Sequence, residues 1–344
     1  TVNVSETQPV QGETLLRLGT SELIRLGLTS NRGLLLGAAG FGVFSQMDSA
    51  GVGGWVANAM KALFGYARGL EMDWMQWGIA LLVIAVSLIA ILRTVSIGLV
   101  ILQFHGFRLY QRERRLSVES GLLTQVRTHA PLHKIQHWTI RASLIHRLLD
   151  RRSLRVETAA SQAVNVGHSL ADPVPIAPPH VLDALLTRWL PWLDVQALPW
   201  QPLHPRAWRR IAFVPTVLTL LATVLLAARS GAIGLLPLLL LPWWVFRARR
   251  IAAHTRWAID DRVLAWRSGW LDRQLSFAEI GKLQALQLRQ SPFDRRHGMA
   301  SLIADTAGAN LLGHRLELHY LRETEARALY QRLAAQVAHS GARW

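Results

Sequence analysis

Long uncharged apolar stretches alternate with stretches of mixed polarity along the chain. Residues 74–92 hold 19 positions without a charge, residues 211–228 hold 18, and residues 230–246 hold 17. Each length is close to the roughly 20 apolar residues with which a helix crosses a bilayer. A shorter uncharged stretch covers 33–47, and a buried or interfacial helix is its alternative interpretation. The pattern predicts transmembrane helices at these places.

The last two stretches follow each other almost directly. A single helix over residues 211–246 would rise about 54 Å, which is too long for one crossing. Arg229, Ser230 and Gly231 offer a turn in the middle of this region. The sequence therefore predicts a tight helical hairpin.

The distribution of arginine predicts an orientation. Arginines cluster before the first and third spans and after the second and fourth, whereas the loop at 48–73 and the hairpin tip carry few cations. Positively charged residues are enriched on the cytoplasmic side of membrane proteins. We therefore expect both ends of the chain and the region 105–205 to lie in the cytoplasm.

The regions between the spans contain an internal repeat. Residues 107–160 align without a gap with residues 255–308, at a constant offset of 148, and 16 of 54 positions are identical. Each copy shows short alternating runs typical of strands. Each copy is followed by a helical pattern, at 181–190 and at 323–337. The repeat predicts two small antiparallel β-rolls, each capped by a C-terminal helix.

The first copy resembles the type 2 bacterial pleckstrin-homology-like (PH-like) domain. The residues that carry the resemblance are Gly106 to Leu109, Leu116, Gly121 to Leu123, Pro131, Lys134 to Gln136, Ser143, Arg147 and Val156 to Ala159. The second copy departs from the pattern at Glu279, Leu283 and Asp305. The order of spans and domains is similar to that of YdbT-type bacterial membrane proteins.

The resemblance implies a mixed membrane protein in which transmembrane α-helical hairpins alternate with PH-like β-rolls. It implies the bacterial inner membrane as the location and a longer protein of which this chain is the C-terminal two-thirds. The implied domains are the tail of a preceding domain (1–20), a first transmembrane pair with an outer loop (21–104), a first PH-like domain (105–200), a second hairpin (206–247) and a second PH-like domain (248–340).

Residues for catalysis or metal binding are sparse. The chain has no cysteine, which excludes disulfides and thiol chemistry. It also contains no nucleophile-elbow, P-loop, zinc-protease or dinucleotide-binding motif. His129, His133 and His137 have helical metal-site spacing, but Pro131 interrupts them and the segment has the pattern of strand and turn. We therefore expect no catalytic residue, metal or cofactor, and a protein that is not an enzyme.

The strongly basic balance, with a net charge of +16, allows three interpretations. In the first, the cations only reflect the enrichment of positive charge on the cytoplasmic side of membrane proteins and lie on solvated surfaces. In the second they contact anionic phospholipid headgroups, and in the third they bind nucleic acid. Four predicted spans and the lack of a stacking-aromatic motif argue against nucleic acid. The candidate residues for lipid or partner binding are Lys134, Arg141, Arg147, Lys282, Arg289 and Arg295.

These observations lead to two hypotheses on function. The leading one is a non-enzymatic scaffold that presents cytoplasmic PH-like domains to membrane or cytoplasmic proteins. The partner of this scaffold can also be a second copy of the chain, which would make it a homo-oligomer. The resemblance suggests a link to envelope stress or antimicrobial-peptide resistance. The alternative is a protein that binds or handles anionic lipids in the bilayer.

Overall fold

A computed structural model describes residues 12–30, 73–158, 172–306 and 316–340, together with Asn58, Lys61, Ala62 and Gly65, which are helical. The predicted span at 33–47 lies outside these residues. The chain divides into two compact units. One comprises Thr1–Leu15, Leu109–Val118 and Thr128–Trp344, and the other comprises Leu16–Arg108 and Glu119–Arg127.

The described helices and strands follow in this order: β1 (Glu13–Arg17), α1 (Thr20–Thr29), α2 (Trp74–Phe104), β2 (Arg108–Arg112), β3 (Arg115–Ser120), β4 (Val126–Pro131), β5 (Ile135–Ala142), α3 (Leu144–Leu148), β6 (Arg152–Thr158), β7 (Val174–Ala177), α4 (Pro179–Trp189), β8 (Gln201–Pro202), α5 (Ala207–Ser230), α6 (Leu241–His254), β9 (Arg256–Ile259), β10 (Val263–Ser268), β11 (Arg273–Glu279), β12 (Leu283–Arg289), α7 (Pro292–Arg296), β13 (Met299–Thr306), β14 (Leu316–Arg322) and α8 (Glu323–Ser340). Short 3-10 helices cover Leu132–Lys134, Gly231–Leu240 and Ile280–Lys282.

Helix α1 packs against the long apolar helix α2 at a close approach. A Cβ atom on Gly27 would lie 2.6 Å from the Cα of Ile97, so only glycine fits there. The uncharged stretch ends at residue 92, just before Arg93, but the helix continues to Phe104. Arg93 therefore lies inside α2, where it donates hydrogen bonds to the carbonyl oxygens of Leu28 (2.8 Å) and Ser30 (3.0 Å). These bonds satisfy carbonyls at the C-terminal end of α1.

Helices α5 and α6 form the predicted hairpin. Gly231 ends α5 with a φ of +60°, and the 3-10 segment after it packs back on α5. A Cβ atom on Gly234 would lie 2.2 Å from the backbone nitrogen of Ala227. Trp244 on α6 donates its indole N–H to the Thr219 hydroxyl of α5 at 2.9 Å. These contacts hold the two arms of the hairpin together.

Two helical stretches are long and apolar enough to cross a membrane. They are Met75–Phe104, with a mean hydropathy of 2.5, and Ala207–His254, with 2.4. None of the most apolar window of the first stretch is buried, and only 17% of that of the second. The core helix of a soluble protein would bury such a face, so the exposure of these apolar residues favours a lipid environment.

The internal repeat is confirmed element by element. The first repeat runs from β2 to α4 and the second from β9 to α8, with three strands, a 3-10 turn, three strands and a final helix in each. The 3-10 turns and the short helices α3 and α7 recur at the offset that aligns the two sequences. Ser143 and Ser291, which are equivalent in that alignment, cap α3 and α7 through their hydroxyl groups.

One antiparallel strand pair joins the two repeats into a continuous sheet. The seven-stranded sheet has the order β7-β6-β5-β11-β10-β9-β8, so β5 of the first repeat pairs with β11 of the second. In this register Trp138 faces Phe277, and their rings stack at 6.4 Å. The neighbouring Thr139 and Ser276 share a hydrogen bond between their hydroxyls at 3.2 Å. The remaining strands form a four-stranded sheet, β1-β2-β3-β4, and a three-stranded sheet, β12-β13-β14.

Each repeat has its own apolar core beneath its C-terminal helix. In the second repeat, Leu302 and Leu318 of the sheet are fully buried, and Leu333 of α8 packs into the same cluster. In the first repeat, Leu154 of β6 and Leu182 of α4 are fully buried. Alternating strand residues and one helix face thus close each roll, as the sequence pattern predicts.

The turns between the second and third strands of the repeats need glycine. Gly121 has a φ of +120° and Gly269 a φ of +87°. A Cβ atom at these positions would lie 2.1 Å from the Thr124 carbonyl oxygen and 1.7 Å from that of Asp272. A side chain would collide with backbone at both turns, which explains why this glycine recurs in the repeat.

Candidate functional site

A cavity of about 770 Å³ lies where the first repeat, the second repeat and the end of α6 meet. Its wall is strongly basic, with six arginines and one histidine against a single carboxylate, that of Asp150. The cationic or titratable lining residues are Arg147, Arg151, Arg152, His254, Arg256, Arg267 and Arg273.

The joined sheet brings these arginines together. Arg256, Arg267 and Arg273 belong to β9, β10 and β11, which are consecutive neighbours in the sheet. The arginines of the first repeat reach the same cavity because β5 pairs with β11. Ile140 of β5 and Leu275 of β11 are partners in that ladder, and both line the cavity.

Positive charges crowd around Arg267. Its guanidinium lies over the ring of Trp200, 4.6 Å from the centroid. Partial burial, together with the neighbouring charges of Arg256 and Arg273, lowers the pKa of Arg267. No carboxylate in the described part of the chain pairs with Arg256 or Arg273. A bound anion would relieve this repulsion.

The arginines of the first repeat are partly held by the protein itself. Arg147 donates to the carbonyl oxygen of Trp270 at 3.5 Å, and Arg152 lies 3.5 Å from the carboxylate of Asp183. Both contacts are long and leave other guanidinium N–H groups available. Several guanidinium groups facing one cavity suit a phosphate group, because each can donate two parallel hydrogen bonds to it.

Aromatic and cationic side chains surround the base of the hairpin beside this cavity. Trp270, at the β10–β11 turn, packs edge-on against Phe246 of α6, with centroids 5.6 Å apart. Arg250 lies over the Trp270 ring at 5.5 Å, and Arg249 lies over Trp208 at 4.8 Å. Tryptophan and arginine are typical of the boundary between hydrocarbon and water.

The equivalent turn of the first repeat lies at the end of α2. The backbone N–H groups of Gly121 and Leu122 donate to the carbonyl oxygens of His105 and Leu102, both at 3.0 Å. Leu123 beside them is 83% exposed. Both repeats therefore place the turn between their second and third strands next to the preceding apolar helix.

Only one of the six residues singled out from the sequence, Arg147, lines the cavity. Arg141 lies on β5 opposite Gln274 of β11, in the strand pair that joins the two repeats. Lys282 forms an ion pair with Glu279 at 2.8 Å and donates to the Ile135 carbonyl oxygen of the first repeat, also at 2.8 Å.

The other three of these residues are exposed at separate places. Lys134 lies in the 3-10 turn before β5, Arg289 ends β12 and Arg295 lies on α7. The structure does not gather the six into one site, and a binding role for them stays a prediction.

Sequence reasoning missed His254, Arg256, Arg267 and Arg273 as site residues. They are far along the chain from Arg147, and only the pairing of β5 with β11 unites them with it. One weak signal was present, because Arg256 repeats Arg108 at the offset of 148. No local spacing could reveal the cavity itself.

The three spaced histidines do not form a common site. His129 on β4 shares a hydrogen bond with the Ser117 hydroxyl at 2.7 Å, and His133 lies in the following 3-10 turn. His137 on β5 is buried, 3.7 Å from the carboxylate of Glu157. Among the described residues, no three histidine or acidic side chains are close enough together to hold a metal ion.

Two small β-rolls, each closed by a C-terminal helix and each preceded by an apolar helix, define the class as PH-like. The family model of the bacterial PH domain matches residues 59–177 and 209–337, together more than half of the chain. The chain belongs to the bacterial PH domain family, which confirms the resemblance seen in the sequence. Each match includes the apolar helix ahead of the roll. Comparison with curated proteins and with solved structures gave no match.

Proposed function

We propose that this protein is a membrane-anchored module that binds the phosphate-bearing headgroup of an anionic lipid in the arginine cavity. The observation that carries the proposal is the convergence of six arginines from two repeats on one cavity with a single carboxylate. The volume of about 770 Å³ is within the range of small-molecule sites.

The hairpin supports a position of the cavity close to the membrane surface. Ala253 and His254, the last residues of α6, line the cavity. Phe246, near the end of the apolar part of α6, is eight positions earlier than His254, or about 12 Å along the helix. With α5 and α6 crossing the bilayer, the cavity would lie at the headgroup side, within reach of a projecting phosphate.

The orientation proposed for the chain is the one that the arginines favour. Clusters of arginine begin the hairpin and follow its apolar part: Arg206, Arg209, Arg210, Arg247, Arg249 and Arg250. By the positive-inside rule this end, with both PH-like rolls, faces the cytoplasm of a bacterial cell. The cytoplasmic leaflet carries anionic lipid, and each nearby cation adds about 1 kcal/mol of attraction.

The test is lipid binding by the full chain in detergent, measured by native mass spectrometry. Phosphatidylglycerol is the anionic probe and phosphatidylcholine the neutral one. We expect Arg256→Gln/Arg273→Gln to weaken phosphatidylglycerol binding at least tenfold, because each lost charge-assisted hydrogen bond contributes about 1.5–3 kcal/mol. Binding of phosphatidylcholine should not change.

The matched control is Arg289→Gln/Arg295→Gln, which removes the same charge from the same repeat outside the cavity. We expect it to change phosphatidylglycerol binding less than twofold. Equal losses in the two double variants would show binding to net charge alone and overturn the cavity as the site. No loss in the cavity variant would overturn it as well.

The proposal assigns no reaction to the chain. The scaffold hypothesis is the second candidate, and the exposed sheet edges of the rolls favour it, since such edges can accept a strand from a partner. A role in envelope stress or antimicrobial-peptide resistance would build on either activity and stays a prediction.

A further inference from the structure

The junction between the two repeats uses two particular sheet edges. The first repeat contributes the outer edge of β5, its fourth strand, and the second contributes the outer edge of β11, its third strand. The contact is head-to-tail, because different strands of the two repeats meet. A head-to-tail contact can recur wherever both edges exist again.

Both edges do exist again in this chain. Strand β12 is the counterpart of β5 and ends the three-stranded sheet. Strand β4 is the counterpart of β11 and ends the four-stranded sheet. No further strand follows either of them in the part of the chain that the structure describes. Accordingly, β12 is more exposed to solvent than β5. Ala285 and Gln287 are exposed, whereas their counterparts in β5, His137 and Thr139, are buried.

The repeat also fixes the register that a new pair would adopt. In the existing junction Leu275 faces Ile140 and Phe277 faces Trp138. With the offset of the repeat applied to both strands, Arg127 would face Leu288 and His129 would face Leu286. This register places no two like charges directly opposite each other, which would be unfavourable. Pro131, which cannot donate a ladder hydrogen bond, lies beyond its end.

A lysine marks the same edge in both repeats. Lys282 donates to the carbonyl oxygen of Ile135, the first residue of β5. Its counterpart Lys134 is exposed, without an ion pair or hydrogen bond in the described part of the chain. In a second junction Lys134 would donate to the carbonyl oxygen of Leu283, the first residue of β12.

From this equivalence we infer that two copies of this chain associate head-to-tail, with β12 of one copy pairing antiparallel with β4 of the next. The occupant of each edge is therefore a second copy. The continuity of β4 and β12 with the β5–β11 junction specifies strand, direction and register. Because the contact is heterologous, it builds rings or open rows of copies in the membrane.

The test is disulfide crosslinking of the full chain, which has no native cysteine. Arg127→Cys and Leu288→Cys are placed on separate, differently tagged copies that are expressed together in membranes. We expect at least ten times more covalent dimer carrying both tags than dimer from either single variant alone. Adding Lys134→Met should reduce the mixed dimer several-fold.

The matched control is Ile140→Cys/Leu275→Cys in one chain, which should close an intrachain disulfide at the existing junction. If this control closes while the mixed dimer fails to form, another segment or partner holds the edges and the inference is overturned. Dimers formed equally well by Arg127→Cys alone would indicate a symmetric contact and would also overturn it. Neither result would bear on lipid binding in the arginine cavity, because that proposal rests on other residues and is tested by a different assay.

Discussion

Strands β5 and β12 occupy the same place in the two repeats but have different surroundings. Strand β5 lies between β6 and β11, and Trp138 at its centre is only 4% exposed. Strand β12 has β13 on one side, and Leu286, the counterpart of Trp138, is half-buried. The same position thus holds an aromatic residue where a neighbouring repeat covers it, and a smaller aliphatic residue where no strand covers it in the described part of the chain.

The comparison shows that the junction, and not the individual roll, creates the candidate site. The core cluster of the second roll contains no residue of the first roll. The cavity needs both rolls, because its arginines come from the elements on either side of the β5–β11 pair. Variants that separate roll stability from junction stability should therefore separate folding from lipid binding.

The largest expected effect is loss of the aromatic contact at the junction. Trp138 stacks on Phe277 and also contacts Trp189 at 5.9 Å. We expect Trp138→Ala to lower the free energy of unfolding by about 3–5 kcal/mol, as for other large buried aromatics. The counterpart Leu286→Ala on the outer strand should cost about 1 kcal/mol or less. Denaturant unfolding in detergent, followed by tryptophan fluorescence, compares them; equal losses would mean that the junction adds nothing to burial.

The next effect concerns the turn that both repeats share. Gly269→Ala places a Cβ atom against the Asp272 carbonyl oxygen in a left-handed conformation. We expect a loss of about 1–3 kcal/mol in the free energy of unfolding. Gly281→Ala is the control, since that position has open space and no positive φ. A thermal unfolding scan checks both, and a neutral Gly269→Ala would mean that the turn relaxes freely.

A smaller effect should distinguish the two equivalent lysines. Lys282→Met removes the hydrogen bond to Ile135 and the ion pair with Glu279. We expect a loss of about 1–2 kcal/mol. This is at the low end of the roughly 1.5–3 kcal/mol that a hydrogen bond from a charged donor contributes, because the Lys282 side chain is 26% exposed and solvent screens its charge. Lys134→Met should change the stability of dilute, detergent-solubilised protein by less than about 0.5 kcal/mol. The same unfolding assay measures both, and a larger loss for Lys134→Met would reverse the assignment.

The smallest expected effect is on the pH dependence of stability, because the serine-capped helices α3 and α7 differ in the residue that bonds the serine. His146 on α3 and Asp294 on α7 are counterparts, and both bond the hydroxyl of the capping serine. Burial lowers the pKa of His146 below its usual 6.5. The unfolded chain therefore takes up this proton first, so the contribution to stability is complete above pH 6.5 and declines as the pH falls below it.

Replacement of this histidine isolates its contribution. We expect His146→Gln to remove part of the loss of stability between neutral and mildly acidic pH. Unfolding midpoints measured at several pH values give the comparison. An unchanged pH profile in the variant would assign the acid sensitivity to other groups.

The fold could be predicted from the sequence because its signals are local. Long uncharged stretches mark the helices, and the gap-free repeat marks two equivalent rolls. Gly121 and Gly269 could be singled out for the same reason, since a turn depends on neighbours along the chain. The role of Arg93 could not be predicted, because its hydrogen-bond partners are carbonyls at the distant end of α1.

The candidate site could not be predicted because its signals are not local. Arg267 and Arg273 are ordinary strand residues until β5 pairs with β11. Lys282, a candidate for lipid or partner binding, also donates a hydrogen bond to Ile135 of the first repeat, and this contact between repeats could not be seen in the sequence. Charge counting detected the excess of arginine but not the place where it converges.

The most direct test of the central claim is to locate a bound lipid headgroup on the protein. A phosphatidylglycerol analogue with a photoreactive headgroup would be added to the full chain in membranes, illuminated, and mapped by peptide mass spectrometry. We predict adducts on the cavity-lining segments 147–152 and 267–275, which are reduced in Arg256→Gln/Arg273→Gln and retained in Arg289→Gln/Arg295→Gln. Adducts that avoid these segments, or that the cavity variant leaves unchanged, would contradict the account.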